Sequence, residues 1–278
     1  MTAPQIAFVV PAHNEAGNLP TLLNGLRKLA RDLDAEVLVV NDGSTDETAQ
    51  LLGSLARDWP QLRIVTHSHA LGQSAALRTG IRMARAPIIA TLDGDGQNPP
   101  ENLRPMIATF QASPPSVGMI QGLRAKRRDS LSKRLASRSA NAIRGALLRD
   151  GCKDSGCALR VFWRQAYLDL PWFQHLHRFM PALMKRDGWE VVTMPVSHAP
   201  RASGQSHYTN WQRGLAGLPD LLGVAWLIWR SPKRIHYGCW WASQSHSPEC
   251  DTRPQESAPD RQNAIPIAAN NPDSAHSS

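Results

Sequence analysis

Two acids one residue apart, Asp93 and Asp95 in Thr91-Leu92-Asp93-Gly94-Asp95-Gly96-Gln97-Asn98-Pro99-Pro100, are the side chains of this sequence best suited to chemistry. Side by side they repel unless something positive sits between them, and a hard divalent ion carrying a diphosphate meets that need. Gly94 and Gly96 leave a bulky ligand room to approach the backbone. A plain solvated turn would use the same letters, because Asp-Gly pairs are common turn formers. The preceding apolar, partly β-branched residues Ile88 to Leu92 read as an interior strand, so both acids fall where strand becomes loop. In an open α/β sheet that carboxyl edge is where ligands bind.

The elements that must hold these acids can be read in order. Ile6 to Val10 forms a first strand stopped by Pro11, and the loop Ala12-His13-Asn14-Glu15 follows. Leu19, Leu22, Leu23, Leu26, Ala30 and Leu33 then recur at helical spacing up to about Asp34. Glu36 to Val40 is a second strand running into Asn41-Asp42-Gly43-Ser44-Thr45-Asp46-Glu47, where Ser44 and Glu47 have the spacing of a capping box for a helix over Thr48 to Arg57. Leu62 to Thr66 is a third strand. Gly72 to Ala84 is a third helix, and the small residues at its start permit close packing or phosphate approach. Val117 to Gly122 and Glu190 to Val196 complete the strands. Alternation at these lengths predicts an α/β fold with a mostly parallel sheet and helices on both faces. Neither a Gly-x-Gly-x-x-Gly fingerprint nor a Walker loop is present.

The chain of 278 residues is 42% hydrophobic, enough for one large core, and its formal charge of +8 implies an anionic partner. Lys126, Arg127, Arg128, Lys133, Arg134, Arg138 and Arg144 crowd between Arg124 and Arg149 against Asp129 alone, with Leu131, Leu135, Ala142, Ala146 and Leu147 on one helical face. Such a helix suits an anionic membrane surface or phosphate groups; a solvated face is the alternative. Nucleic acid fits worst, because the segment lacks aromatic stacking residues. No secretory leader is visible at the N-terminus, so a cytoplasmic protein is expected. The four cysteines have neither zinc spacing nor the density of a disulfide framework, which predicts free thiols. His67 with His69, and His175 with His177, lack a third ligand nearby and read as ordinary surface or core histidines.

Leu215 to Trp229 is strongly apolar but short of the roughly 20 residues of a span, and Pro219 and Asp220 interrupt it. An interfacial helix or a buried core helix is expected there. Beyond it the chain fills with Ser, Pro, Asn and Gln, a composition that predicts disorder. The division expected is a catalytic region over 1–212, a juxtamembrane helix over 213–230 and a polar tail over 231–278.

These motifs, taken in order, resemble the family 2 glycosyltransferases, and within them the dolichyl or polyprenyl-phosphate mannose synthase-like enzymes. The likeness runs from about Ile6 to Arg230. It rests on Val10-Pro11-Ala12-His13-Asn14-Glu15, Val39 to Asp46, Leu92 to Glu101, the turn Asp154 to Arg160, and His198 to Tyr208. The resemblance implies a GT-A-type fold and inverting transfer of a sugar from a nucleotide-sugar, GDP-mannose or a UDP-sugar, to dolichyl or undecaprenyl phosphate. It implies that Pro11, His13, Glu15, Val40 and Asp42 hold the base and ribose. Asp93, Asp95 and Gln97, with Gly94 beside them, would surround Mg²⁺ or Mn²⁺ and the diphosphate. Arg124 would face the donor phosphates; Lys133 or Arg134, Ser137 and Arg201 would hold the acceptor phosphate. Asp95, Arg124 and Arg201 would be the catalytic groups. His207 stands where the family often has Lys, which makes acceptor binding sensitive to pH. Attachment would be peripheral, on the inner face of the membrane. A family 2 enzyme acting on a glycan hydroxyl, or a basic membrane-surface binding protein on the same fold, are the alternatives.

Overall fold

The computed structural model describes residues 4–124, 144–145, 147–148, 150–152, 154–199 and 210–231. Seven strands form one sheet: β1 (Ile6–Ala12), β2 (Glu36–Asn41), β3 (Leu62–Thr66), β4 (Ile88–Thr91), β5 (Val117–Arg124), β6 (Arg160–Trp163) and β7 (Glu190–Val196). Helices α1 (Leu19–Asp32), α2 (Thr48–Arg57), α3 (Gln73–Met83), α4 (Leu103–Ala112), α5 (Arg164–Leu168), α6 (Met180–Arg186) and α7 (Asn210–Arg230) are added in chain order. β1 and β2 are buried at every position, as strands covered on both faces must be. Alternation divides β1 between two cores. Ile6, Phe8, Val10 and Ala12 join Leu19, Leu23, Leu52 and Phe110 on one face, while Ala7 and Val9 join Leu77, Ile81, Tyr167 and Leu183 on the other.

The strand order β3-β2-β1-β4-β6-β5-β7 reverses at β1. From β1 the chain goes outward to β2 and β3, then returns to lay β4 on β1's other side. Their diverging carboxyl ends open a crevice at that switch point. β6 is the exception in the sheet. It runs antiparallel to both β4 and β5, pairing Arg160 with Thr91 and with Gln121. The start of β6 therefore lies at the same edge as the ends of β1, β2, β4 and β5.

Three expectations are corrected. The capping box does not form: Ser44 Oγ accepts the Asn14 N–H at 3.0 Å, and the Thr48 N–H is taken by Asp46 Oδ1 at 3.0 Å. The apolar C-terminal helix starts at Asn210 and passes through Pro219 without stopping. An interior proline costs about 3 kcal/mol, which packing of Val224, Leu221, Ala225, Leu227 and Ile228 onto the second core outweighs. Arg144 is no part of an exposed basic stripe, because it is 9% exposed and clasps Asp150 through Nη1 at 2.6 Å and Nη2 at 3.2 Å. Its partner lies just beyond the window in which the cations look unopposed. Beside it Leu148 is buried and Leu147 exposed, shifting the apolar face by one residue. The other cations between 126 and 138, the expected acceptor-phosphate residues Lys133, Arg134, Ser137, Arg201 and His207, and the tail after Ser231 lie outside the described residues.

The C-terminal helix packs one side onto the second core and leaves the other exposed. Opposite its packed face stand Leu218, Leu222, Trp226 and Trp229, exposed by 51, 56, 57 and 77% at helical spacing. Among the described residues no helix is long and apolar enough to cross a membrane.

Candidate active site

At the switch point lies a cleft of ≈ 190 Å³ lined by Pro11, Ala12, His13, Glu15, Asp42, Gln73, Ala76, Asp93, Gly94 and Asp95. One wall is the end of β1. Gly94 crosses over it so closely that an added Cβ would stand 3.0 Å from the Pro11 carbonyl oxygen. Gly43, at φ +62°, lets the turn after β2 press on residues 69–70, where a Cβ would meet backbone at 2.3 Å.

The acids respond to this placement. Burial and the neighbouring charge of Asp95 push the Asp93 carboxyl up to about 6, and Arg160, the Gln73 amide and Arg124 only partly offset them. Gln73 Nε2 donates to Asp93 Oδ1 at 2.6 Å. Asp95 Oδ1 accepts the Gln97 N–H at 3.1 Å, and the Gln97 carbonyl in turn accepts the Ala199 N–H at 2.9 Å. Two mutually repelling carboxylates facing one cleft are a donor set that fits Mg²⁺ or Mn²⁺, ions that bind through one or two carboxylates and complete their shell with phosphate and water.

Asp42 is organised differently. Its Oδ1 accepts from His67 Nδ1 at 2.7 Å and from the Leu71 N–H at 2.9 Å, and its Oδ2 accepts the Gly72 N–H at 2.8 Å. Burial pushes its carboxyl up, but the His67 bond and the two N–H groups outweigh that and hold it below the usual range. His13 Nδ1 donates to the Asp42 carbonyl at 2.7 Å, and its Nε2 accepts from the Asn14 amide at 3.4 Å.

Arg124 is clamped by Asp154: Nε to Oδ2 at 2.7 Å and Nη2 to Oδ1 at 2.6 Å, which holds its charge more firmly than usual. Deeper still, Arg160 is 2% exposed and donates from Nε to Gln121 Oε1 at 2.9 Å and from Nη2 to the Ser155 carbonyl at 2.9 Å.

The match to the family model described as glycosyl transferase family 2 covers residues 7–170, well over half of the chain. The chain belongs to glycosyl transferase family 2. Among its curated relatives, an undecaprenyl-phosphate 4-deoxy-4-formamido-L-arabinose transferase of Pectobacterium carotovorum is 31% identical over 208 residues, 73% of this chain and 62% of the relative. The transferase of the same description from Pseudomonas paraeruginosa is 32% identical over 207 residues, 73% of this chain and 60% of the relative. This chain thus spans about three fifths of their length. Among solved structures, the mannosyltransferase PcManGT of Pyrobaculum calidifontis, in complex with GDP-Man and Mn²⁺, superposes with a TM-score of 0.58 at 22% identity over 84% of this chain and 66% of the other. Glucosyl-3-phosphoglycerate synthase of Mycobacterium tuberculosis, with Mg²⁺ and UDP, gives 0.59 at 16% identity over 82% and 80%. At such identities the likeness is one of fold, the GT-A glycosyltransferase architecture.

Of the residues that sequence singles out in this family 2 chain, Pro11, His13, Glu15, Asp42, Asp93, Gly94 and Asp95 come together in the cleft. Val40 does not line it; its side chain is fully buried toward the position of Gly80. Gln97 and Arg124 stand outside the lining, the first bracing Asp95 through its backbone and the second bonded to Asp154. Gln73, Ala12 and Ala76 were not singled out, although the small residues opening α3 marked that turn. In sequence Arg160 marks only the end of the Asp154 turn motif, because nothing local shows that its strand reverses direction. Of the histidine pairs, His67 bonds Asp42 and Thr79, His69 bonds Ser68, His175 bonds Asp220, and His177 bonds Ser74. Cys152 and Cys157 are free, buried thiols.

Proposed function

We propose that this family 2 chain transfers a glycosyl group, with inversion, from a nucleoside-diphosphate sugar to a polyprenyl phosphate. The observation that carries the reading is the Asp93–Asp95 pair at the mouth of the cleft, where one carboxyl is pushed up to about 6 by burial and its neighbour. Asp93 and Asp95 would hold Mg²⁺ or Mn²⁺, which when bound neutralises charge on the departing diphosphate. Pro11, His13, Glu15 and Asp42 bound the part of the cleft suited to the nucleoside. The acceptor's phosphate oxygen attacks the anomeric carbon as the bond to the diphosphate oxygen breaks on the opposite side. An acceptor phosphate is already anionic near neutral pH, so it needs positioning cations more than a strong base. Arg124 and Arg201 are assigned to the phosphates, and Lys133 or Arg134 with Ser137 and His207 to the acceptor; Gln97 and Val40 serve as supports.

The curated relatives named above carry undecaprenyl phosphate in their description, which supports this acceptor class. The exposed Leu218, Leu222, Trp226 and Trp229 stripe on α7, together with the net positive charge, supports peripheral attachment to an anionic membrane surface on the cytoplasmic side. On this reading 1–212 is catalytic, 213–230 is the juxtamembrane helix and 231–278 is an accessory tail. The test is turnover of purified protein with undecaprenyl or dolichyl phosphate against radiolabelled nucleotide-sugars, with and without Mn²⁺. Metal-dependent formation of a lipid-linked sugar of inverted configuration is expected. Transfer to a glycan hydroxyl, or no turnover with any donor, would overturn the reading.

A further inference from the structure

We infer that Gln73 is a positioning residue for the cation site, an inference that rests on the glycosyl-transfer reading above. Gln73 opens α3, is exposed to solvent, lines the cleft and donates from Nε2 to Asp93 Oδ1 at 2.6 Å. Among the described residues, no other hydrogen bond reaches that carboxylate. Oδ1 thereby carries one hydrogen bond that fixes the orientation of the carboxylate, and Oδ2 accepts none from the described residues.

The backbone that carries Gln73 is pinned on both sides. Leu71 and Gly72 give their N–H groups to the two oxygens of Asp42 at 2.9 and 2.8 Å. Gln174 Nε2 donates to the Leu71 carbonyl at 3.2 Å, and Ser74 Oγ and His177 Nδ1 are hydrogen-bonded at 2.6 Å. A side chain on such a support reaches Asp93 with little further loss of freedom. The chemistry of the amide also suits the place. Two ionised carboxylates tend to swing apart, and a lysine or arginine that held one of them would compete with the metal for it. A neutral donor fixes the carboxylate and leaves its charge for the ion. Carboxylate ligands are commonly held in this way, and loss of such a partner weakens metal affinity by about 10–100-fold.

The full chain is titrated with Mn²⁺ in the presence of UDP and, separately, GDP, following the free ion by electron paramagnetic resonance. Gln73→Met keeps the side-chain length and removes the donor; Gln73→Asn keeps the amide on a stem one methylene too short. For both variants the half-saturating Mn²⁺ should rise about 10–100-fold, with the unfolding midpoint of the metal-free protein unchanged and transfer recovered at saturating Mn²⁺. Wild-type affinity for Mn²⁺ in both variants would overturn the inference. So would an equal loss of nucleotide affinity in metal-free buffer, which would make Gln73 a nucleotide ligand, or a fall in the unfolding midpoint that accounts for the weaker binding. If the wild-type chain itself takes up no Mn²⁺ with either nucleotide, the cation site fails, not the role of Gln73 alone.

Discussion

Replacing Asp93 with Asn should make the metal-free protein more stable and the liganded protein less so. The Asp93 carboxyl stands at about 6 in the folded chain against an ordinary 3.8, so its ionisation opposes folding. The gap of about 2 units corresponds to about 3 kcal/mol, a ceiling because solvent reaches the pair and screens it. Asn is neutral at every pH and nearly isosteric, and its carbonyl can still accept from Gln73. The sign follows from the raised folded value: the penalty is full above about pH 6 and fades as pH falls toward 3.8. The advantage of the variant should therefore be greatest near pH 8 and about halved by pH 5. For a folded unit of this size, 1–3 kcal/mol corresponds to a rise of roughly 3–10 °C in Tm. With Mn²⁺ and nucleotide at about 1,000 times Kd, the wild type should gain about 4.1 kcal/mol while the variant gains little, which reverses the order. Thermal unfolding at pH 8 and pH 5, with and without ligands, reads all four values. A metal-free variant no more stable than wild type at pH 8, or one whose gain is the same at both pH values, would refute the repulsion argument.

Three other outcomes are expected. Asp42→Ala strands the Leu71 and Gly72 N–H groups and His67 without their acceptor, so urea unfolding should show a loss of about 2–4 kcal/mol. Arg124→Ala removes the two side-chain bonds to Asp154, which is only 10% exposed; it should cost about 1–3 kcal/mol, part of which returns when Asp154→Ala is added in a double-mutant cycle. Trp226→Ser combined with Trp229→Ser removes the two most exposed rings of the α7 stripe, and sedimentation with anionic vesicles should weaken by at least about tenfold while the unfolding midpoint holds.

The strands and helices of the first half were legible because each carries its own periodicity. β3 matches its sequence boundaries, and α2 does so even though its capping box is replaced by a bond from the Thr48 N–H to Asp46. Asp93 and Asp95 were legible as a pair because an apolar strand that must be buried ends beside them. What local pattern could not show was the company they keep. By local pattern Arg144 is one cation of a stripe, whereas in space Asp150 lies against it; the C-terminal helix has a breaker at Pro219, whereas its packed face carries it through.

Sequence alone therefore determined β1 to β5, β7, helices α1 to α3 and the apolar C-terminal helix, and which acids end up at strand tips, since burial and chain stiffness act over a few residues; β6 and α4 to α6 came only with the structure. The tertiary structure decided that β6 runs backward and brings Arg160 to the edge where Asp93 lies. It also decided that Asp42, some thirty residues away along the chain, ties down the turn from which Gln73 reaches Asp93. These depend on how distant segments are packed, because a charge or a hydrogen bond acts through space and takes no account of separation along the chain.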